Sequence, residues 1–301
     1  MQKVRKAVIP AAGHGTRFLP VTKAIPKEML AIIDRPALQY VAEEAAASGI
    51  EEILIIISRE KDVIKHYFSA ECEHSVAERD LNALLRRVKF SFVYQDVADG
   101  TAGSALTEAW ADGTAGAVSL AREFTGDEPF AVMYGDDVVI NDGGKPCLKQ
   151  LIEAYEQTGR TVLGVQNRPP EEAAKYAVIK KGAENGRLTE VLGIIEKPSP
   201  DNMPSTLSSL GRYILTLDIY DAINRAPVFR GEKYLTHAID LLTEKGVYAY
   251  DFEGTRYDIG DKFGFLQANV ELGLRRFDGK MRDYLLALGE ELKAQKDKKD
   301  K

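Results

Sequence analysis

Short apolar runs of strand length alternate along the chain with longer segments of helical periodicity. Ile53–Ile57 is continuous and rich in β-branched residues, which predicts a strand buried on both faces of a sheet. Asn185-Gly186 is a strong hairpin signal, so Tyr176–Lys181 and Arg187–Glu196 are predicted to pair. Further strands are predicted at Ala7–Ile9, Lys89–Tyr94, Phe130–Tyr134, Thr161–Val165, Leu210–Leu215 and Val247–Phe252.

The segments between these runs predict helices. Pro36 suits the first turn of a helix and Gly49 suits its end, so Pro36–Ser48 is predicted to be helical. Strands that alternate with helices predict an α/β fold, in which a mostly parallel sheet carries helices on both sides. The other helices are predicted at Val76–Arg87, Cys147–Thr158, Leu217–Asn224, Leu235–Lys245, Lys262–Phe277 and Lys280–Gln295.

The composition is that of a globular protein with an ample core. Of the 301 residues, 45% are hydrophobic and 29% are charged, and the formal net charge is −6. This balance argues against a general surface for nucleic acid or membrane, so any phosphate chemistry needs a local basic pocket. Cys72 and Cys147 form neither a disulfide framework nor a metal-binding spacing. Because the chain opens without a charged-then-apolar leader and has no apolar run near about 18 residues, we expect a cytoplasmic location.

A loop of small residues follows the first predicted strand. Such residues let a ligand lie against the main chain, and successive backbone N–H groups form a cradle for an anion. Arg17 and Lys27 add positive charges that suit phosphate oxygens. The sequence therefore predicts a phosphate-binding loop, with a plain tight turn and two surface cations as the alternative. The small residues are Ala11, Ala12, Gly13 and Gly15.

The spacing of this loop excludes two common nucleotide-binding motifs. Phe18 stands where a dinucleotide-binding fingerprint needs its third glycine. The Gly-x-x-x-x-Gly-Lys pattern of a P-loop is also missing from the sequence. A dehydrogenase of the usual NAD-binding type is therefore a poor interpretation.

Two adjacent acids follow the apolar run Phe130–Tyr134. Asp136 and Asp137 come at the carboxyl end of a predicted buried strand, where open α/β sheets bind ligands. Carboxylates with few companions suit Mg²⁺, which completes its shell with water and substrate phosphates. Because adjacent strand residues face opposite sides, we expect Asp136 and Asp137 not to bind the same ion. The alternative is an acid that caps the following turn.

Six motifs resemble those of sugar-nucleotide pyrophosphorylases and occur in the same order along the chain. The resemblance is strongest to the bacterial uridylyltransferases that use UTP and glucose 1-phosphate. The resemblance runs from Lys6 to about Phe277. It implies a Rossmann-like three-layer α/β/α nucleotidyltransferase fold with a mostly parallel mixed sheet and C-terminal helices. The motifs are Ala11-Ala12-Gly13-x-Gly15-Thr16-Arg17, Pro26-Lys27-Glu28-Met29-Leu30, Gly135-Asp136-Asp137, Glu196-Lys197-Pro198, Gly211-Arg212-Tyr213 and Tyr257-Asp258-x-Gly260-Asp261.

The resemblance also implies a role for individual residues. For catalysis it implies Arg17, Lys27 and Lys197. For Mg²⁺ binding it implies Asp136 and Asp258. For the sugar phosphate it implies Gly135, Gly164, Glu196, Lys197 and Gly211. For the nucleotide it implies Ala11, Ala12, Gly13, Gly15, Glu28, Gln95 and Gly100.

The implied reaction is a Mg²⁺-dependent in-line attack of glucose 1-phosphate on the α-phosphorus of UTP. We expect residues 1–260 to form the catalytic domain and residues 261–301 a helical extension that contacts a partner subunit in a homodimer or homotetramer. The stretch Asp99–Gly103 departs from the uridylyltransferase pattern, and an Asp-Gly pair at this place occurs in related thymidylyltransferases. The alternatives are therefore the same chemistry with dTTP or another sugar 1-phosphate, or a non-catalytic protein that binds a nucleotide sugar.

Overall fold

The computed structural model describes residues 2–69, 78–95, 113–229 and 231–299. Its strands are β1 (Lys6–Pro10), β2 (Ala31–Ile32), β3 (Arg35–Pro36), β4 (Glu52–Ile57), β5 (Lys89–Tyr94), β6 (Phe130–Met133), β7 (Asp137–Ile140), β8 (Thr161–Asn167), β9 (Ala177–Asn185), β10 (Leu188–Glu196), β11 (Leu207–Leu215), β12 (Val247–Asp251) and β13 (Thr255–Asp258). Its helices are α1 (Ala37–Ala47), α2 (Asp62–Ser69), α3 (Glu78–Arg87), α4 (Thr114–Ser119), α5 (Arg122–Thr125), α6 (Cys147–Thr158), α7 (Pro170–Ala173), α8 (Ile219–Arg225), α9 (Leu235–Asp240) and α10 (Lys262–Lys299).

Nine strands within the described residues form one mixed sheet, in the order β5-β4-β1-β6-β11-β8-β12-β10-β9. The pairs β5–β4, β4–β1, β1–β6 and β8–β12 are parallel. The other neighbouring pairs are antiparallel, so the parallel share is about half rather than most of the sheet. The predicted mixed α/β nucleotidyltransferase fold is confirmed in this form.

Two apolar cores lie on the two faces of the sheet, as expected for strands buried on both sides. Alternate residues of one strand point to opposite cores, with Ala7 and Ile9 of β1 in the first core and Val8 in the second. The first core is covered by α1, α2, α3, α6 and the start of α10, and the second by α4, α8 and α9. The three-layer arrangement follows directly from these strand sequences.

Two short strands and one long helix differ from the sequence-based expectation. The acids Asp137 and Asp258 lie within the two-stranded ribbon β7–β13, where they pair with each other. These segments were not predicted as strands because they are short and lack alternation. The two predicted C-terminal helices form the single helix α10, since one glycine at Gly279 costs only about 1 kcal/mol in a helix and does not break it. None of the helices in the described ranges has the length and apolar character needed to cross a membrane.

Candidate active site

A cleft of about 1530 Å³ lies where β1, β5, β6 and β8 end, at their carboxyl termini. One wall carries the loop after β1, including Ala12, Gly13 and Gly15. The opposite wall carries Glu196 and Lys197 at the end of β10. Open α/β sheets bind their ligands at this position. The cleft also brings the predicted phosphate-binding loop into one site with Glu196 and Lys197.

The small-residue loop is held by the backbone of its neighbours. Ala11 donates its N–H to the carbonyl of Ile56 at the end of β4, at 2.8 Å, and is itself buried. Gly15 has a φ of 65°, and a Cβ there would come within 3.1 Å of Thr22 Cγ2, so a larger residue fits poorly. The Thr22 hydroxyl donates to the Gly15 carbonyl at 2.9 Å and closes the turn.

Behind this loop, the buried side chain of Lys61 was not identified from the sequence. Its Nζ donates to the carbonyls of Ala11 and Gly13, both at 2.6 Å, and to Glu28 Oε2 at 2.9 Å. Burial lowers the pKa of the Lys61 ammonium despite the nearby Glu28 carboxylate. Since Arg59-Glu60-Lys61-Asp62 reads as a solvated charge run, only the fold reveals this contact.

A chain of opposite charges runs from Lys61 to the acid after β6. Lys27 Nζ lies 2.5 Å from Asp136 Oδ2 and 3.8 Å from Glu28 Oε1. Burial alone would lower the pKa of Lys27, but Asp136 and Glu28 outweigh it and the pKa is raised. Burial would raise the pKa of Asp136, but Lys27 and Arg17 outweigh it and the pKa is lowered. Both groups are therefore charged, whereas burial raises the pKa of Glu28 above its usual value.

Asp136 and Asp258 converge although they are far apart in the sequence. A Cβ on Gly260 would lie 2.6 Å from Asp136 Oδ2, 2.9 Å from Arg17 Nη2 and 3.1 Å from Asp258 Oδ1. The Ile259 N–H donates to the Asp136 carbonyl at 2.8 Å and fixes the two segments together. Asp258 Oδ2 also accepts a hydrogen bond from the Tyr176 hydroxyl at 2.9 Å. The structure thus brings two predicted acids and a predicted cation to one point.

This pair of carboxylates has the donor chemistry of a Mg²⁺ site. Within the described residues, the histidines, cysteines and acids form no cluster of three that could hold a metal ion. Two oxygen donors beside an open cleft suit Mg²⁺, which keeps several waters and takes further oxygens from substrate phosphates. The residues present therefore fit this ion better than a metal that needs a complete protein shell.

Asp137 lies opposite Asp258 in the β7–β13 ribbon, and Arg256 links the two carboxylates, with Nη2 2.8 Å from Asp137 Oδ2 and 3.5 Å from Asp258 Oδ2. Asp137 is 3% exposed, and Arg256 donates to its carboxylate from Nε at 2.9 Å and from Nη2 at 2.8 Å. Arg212 Nη2 donates to the Asp137 carbonyl at 2.6 Å and to Glu44 Oε2 at 2.7 Å. Asp137 is thus part of a buried ionic network that reaches the lining of the cleft.

Glu196 and Lys197 are held at the opposite wall by the segment that begins α9. Glu196 Oε2 accepts a hydrogen bond from the Thr236 hydroxyl at 2.7 Å. Lys197 has a φ of 46°, and its Nζ lies 4.7 Å from the ring centroid of Tyr234. Its Nζ also donates to the Tyr234 hydroxyl at 3.3 Å. This cation–π contact directs the ammonium along the cleft wall.

The amino-acid sequence that forms this sheet and cleft was compared with models of known protein families. The sequence model of the nucleotidyl transferase family matches residues 6–273. The chain belongs to this family. Its similarity to curated members extends over nearly the full length of both chains, so the cleft is compared with complete relatives.

This nucleotidyl transferase is similar to two curated relatives and two solved structures of the same kind of enzyme. The chain is 44% identical to the UTP–glucose-1-phosphate uridylyltransferase 2 of Staphylococcus saprophyticus, over 97% of this chain and 99% of that one. It is 43% identical to the UTP–glucose-1-phosphate uridylyltransferase of Bacillus subtilis, over 97% and 98%. A UDP-glucose pyrophosphorylase complexed with UDP-glucose matches with a TM-score of 0.82 and 32% identity, covering 91% of this chain and 100% of the other. The UTP-bound UGPase of Acinetobacter baumannii matches with a TM-score of 0.77 and 30% identity, covering 95% and 99%.

The glycines expected near the sugar occupy two kinds of position in this nucleotidyl transferase. Gly211 lines the cleft with a φ of 56°, and a Cβ there would lie 2.7 Å from Asp137 Oδ2. Gly135 and Gly164 instead face packed side chains. A Cβ on Gly135 would lie 3.2 Å from Glu28 Cγ, and one on Gly164 would lie 3.1 Å from Arg212 Cβ. These two positions permit close packing below the cleft.

The end of β5 forms another part of the cleft wall. Gln95 lines the cleft, and its backbone N–H donates to the Ile57 carbonyl at 2.8 Å. Gly100 and the stretch Asp99–Gly103 lie outside the described residues. Four residues that the sequence did not single out for the site also line the cleft, namely Tyr176, Tyr234, Thr236 and Arg256. Lys61 does not line it but holds the loop from behind.

Proposed function

We propose that this nucleotidyl transferase joins UTP to glucose 1-phosphate and releases UDP-glucose and pyrophosphate. The relatives that it matches at 42–44% identity are named for this reaction. The observation that carries the proposal is the convergence of Asp136, Asp258 and Arg17 within 3.1 Å of one point at the cleft. Such a cluster suits a triphosphate and its metal, and Lys197 on the facing wall suits a second phosphate.

The proposed chemistry needs alignment and charge neutralisation more than it needs a base. A sugar phosphate is already an anion at neutral pH, so its oxygen can attack the α-phosphorus of UTP, and pyrophosphate leaves with the electron pair of the broken bond. Two polyanions repel each other in water. Holding them in line can lower the barrier by about 7–11 kcal/mol in favourable systems.

Each wall of the cleft has a part in this proposal. Arg17 and Lys27 would neutralise the triphosphate, while Ala12, Gly13 and Gly15 offer their backbone to it. Asp136 and Asp258 would hold Mg²⁺, which when bound neutralises charge on the reacting phosphates. Ala11, Glu28, Gln95 and Gly100 would also serve the nucleotide, and Gly135 and Gly164 would serve the sugar phosphate.

The sugar phosphate would bind between Gly211 and the end of β10. The Glu196 carboxylate would accept hydrogen bonds from sugar hydroxyls, and the Lys197 ammonium would contact the phosphate. A Cβ at Gly211 would meet Asp137 Oδ2 at 2.7 Å, so the position requires glycine, and its backbone would face the sugar. The positions of Thr236 and Tyr234 support this role, since they hold the two charged side chains at the wall.

We also propose a cytoplasmic homodimer or homotetramer. UTP and sugar phosphates are cytoplasmic metabolites, which supports the location. The end of α10 carries several exposed large apolar side chains, which supports a contact between subunits. In this proposal residues 1–260 form the catalytic domain and residues 261–301 the extension, although Ala268 and Leu272 of α10 pack into the first core.

The experiment is Mg²⁺-dependent pyrophosphate release with glucose 1-phosphate, offering UTP, dTTP, CTP, ATP and GTP in parallel. Release with UTP well above the others supports the proposal. The Asp99–Gly103 departure favours one second candidate, a thymidylyltransferase, and a preference for dTTP would establish it instead. Silence with every triphosphate and with other sugar phosphates would favour a protein that only binds nucleotide sugars.

A further inference from the structure

We infer that Lys61 is a positioning residue that sets the orientation of the phosphate-binding loop and so determines the affinity for the nucleotide triphosphate. This inference rests on the proposed UTP site. It concerns a side chain outside the motifs that indicated the site. Lys61 follows β4, whereas the loop follows β1.

All the hydrogen-bonding capacity of this ammonium is used on the loop and its support. An ammonium has three N–H donors and no acceptor. The Lys61 side chain has three acceptors within 2.9 Å, namely the Ala11 carbonyl, the Gly13 carbonyl and Glu28 Oε2. The residue is 6% exposed, so water competes little for these bonds. Lys61 therefore fixes two alternate carbonyls of one loop.

Fixing a carbonyl also fixes the N–H of the same peptide. A trans peptide is planar, and its C=O and N–H point in opposite directions. When the carbonyls of Ala11 and Gly13 point to Lys61, the N–H groups of Ala12 and His14 point away from it. Both Ala12 and His14 line the cleft. Lys61 thus turns two backbone donors towards the place where the triphosphate would lie.

The charge of Lys61 acts in the same direction as its hydrogen bonds. A positive charge behind the loop reinforces the peptide dipoles that present their N–H ends to an anion. It also neutralises the Glu28 carboxylate, which lies 3.8 Å from Lys27 Nζ. Without Lys61, Glu28 would compete with Asp136 for Lys27. The residue therefore supports the loop and the first cation together.

The chain offers a matched control in Lys6, at the opposite end of β1. Lys6 is 8% exposed, and its Nζ donates to the Phe124 carbonyl at 2.9 Å and the Thr125 carbonyl at 3.4 Å. It also pairs with Glu128 Oε1 at 2.9 Å. Lys6 and Lys61 thus make the same kinds of contact, two carbonyls and one carboxylate, but Lys6 lies away from the cleft.

The experiment compares Lys61→Met with Lys6→Met, both checked for folding by circular dichroism. UTP binding is measured by calorimetry, and the KM values for UTP and glucose 1-phosphate are measured separately. We expect Lys61→Met to weaken UTP binding at least tenfold and to change the KM for glucose 1-phosphate less than twofold. Lys6→Met should lower the melting temperature but leave UTP binding unchanged. Equal UTP binding by wild type and Lys61→Met would overturn the inference.

A second measurement keeps the test decisive if Lys61→Met does not fold. In ¹⁵N-labelled wild type, the amide resonances of Ala12 and His14 should shift on addition of UTP, as expected for donors to its phosphates. Absence of both shifts while UTP binds would also overturn the inference. A wild-type protein that binds no UTP would instead refute the proposed function, so the two failures are distinguishable.

Discussion

Lys197 gives the most direct test of the sugar-phosphate wall. Lys197→Ala removes the ammonium that Tyr234 directs along the cleft, so we expect the KM for glucose 1-phosphate to rise at least tenfold while the KM for UTP changes little. Steady-state kinetics with each substrate varied in turn measures both. Lys181→Ala, which breaks a surface pair with Glu184, is the control and should leave both values unchanged. Unaltered use of glucose 1-phosphate by Lys197→Ala would remove its proposed role.

The adjacent acids Asp136 and Asp137 should respond to substitution in different ways. Asp136→Ala removes a proposed metal ligand, so Mg²⁺-dependent pyrophosphate release should fall at least a hundredfold. Asp137→Ala leaves the buried Arg256 without its bidentate partner, and we expect the free energy of unfolding to fall by about 3–5 kcal/mol. Activity assays and urea denaturation of both variants separate the effects. Similar losses of activity and stability in the two variants would contradict this division.

Sequence reasoning identified site residues where a motif is contiguous and missed them where the contact is long-range. Asp136 and Asp258 were predicted from separate motifs, and the structure brings them together. Lys61 was missed because its partners, Ala11 and Glu28, are 50 and 33 positions away. No local pattern separates such a lysine from a solvated one. The difference arises only when β1 and β4 pair side by side.

At the scale of elements, the strand β11 depends on one glycine. Its pairing with β8 has a register shift between Ser209 and Tyr213, and Gly211 lies in that interval with a φ of 56°. This irregularity re-aims the strand and brings its backbone to the cleft. The pattern of Leu210–Leu215 predicted a strand, but a register shift has no signature in apolar residues and could not be predicted.

Gly211→Ala should therefore be far more damaging than a glycine substitution in open space. A Cβ at Gly211 would meet Asp137 Oδ2 at 2.7 Å, whereas one at Gly186, with a φ of 61°, meets no atom within 4 Å. We expect Gly186→Ala to cost about 1–2 kcal/mol, from backbone strain alone. Gly211→Ala should cost more and should raise the KM for glucose 1-phosphate. Equal destabilisation of the two variants in urea denaturation would show that the contact with Asp137 is unimportant.

For the whole molecule, the order of elements was predictable because strand and helix periodicities differ and alternate. The balance of parallel and antiparallel pairs was not, because apolar runs such as β8 and β11 look alike in either direction. Helix α10 is also longer than either of the two C-terminal helices that the sequence predicts. Its first part packs on the first core through Ala268 and Leu272, and Arg276 pairs with Asp34. Beyond these anchors the remaining turns of the helix carry apolar side chains that the described chain does not cover.

The outer part of α10 is where the proposed oligomer can be tested. Tyr284, Leu288 and Leu292 recur at helical spacing and are 62%, 38% and 57% exposed. The double variant Leu288→Glu/Leu292→Glu keeps good helix formers in place and puts charge on this surface. We expect analytical ultracentrifugation to show a smaller assembly than wild type, with the melting behaviour of the catalytic domain little changed.

Lys293→Glu, a charge change at the exposed residue next to Leu292, is the control and should keep the wild-type assembly. Turnover per subunit should survive in the double variant, because both substituted residues lie far beyond Gln267, the last residue of α10 that lines the cleft. An unchanged sedimentation coefficient in the double variant would place the subunit contact elsewhere. A monomeric wild type would remove the proposed oligomer altogether and leave this end of α10 for another partner.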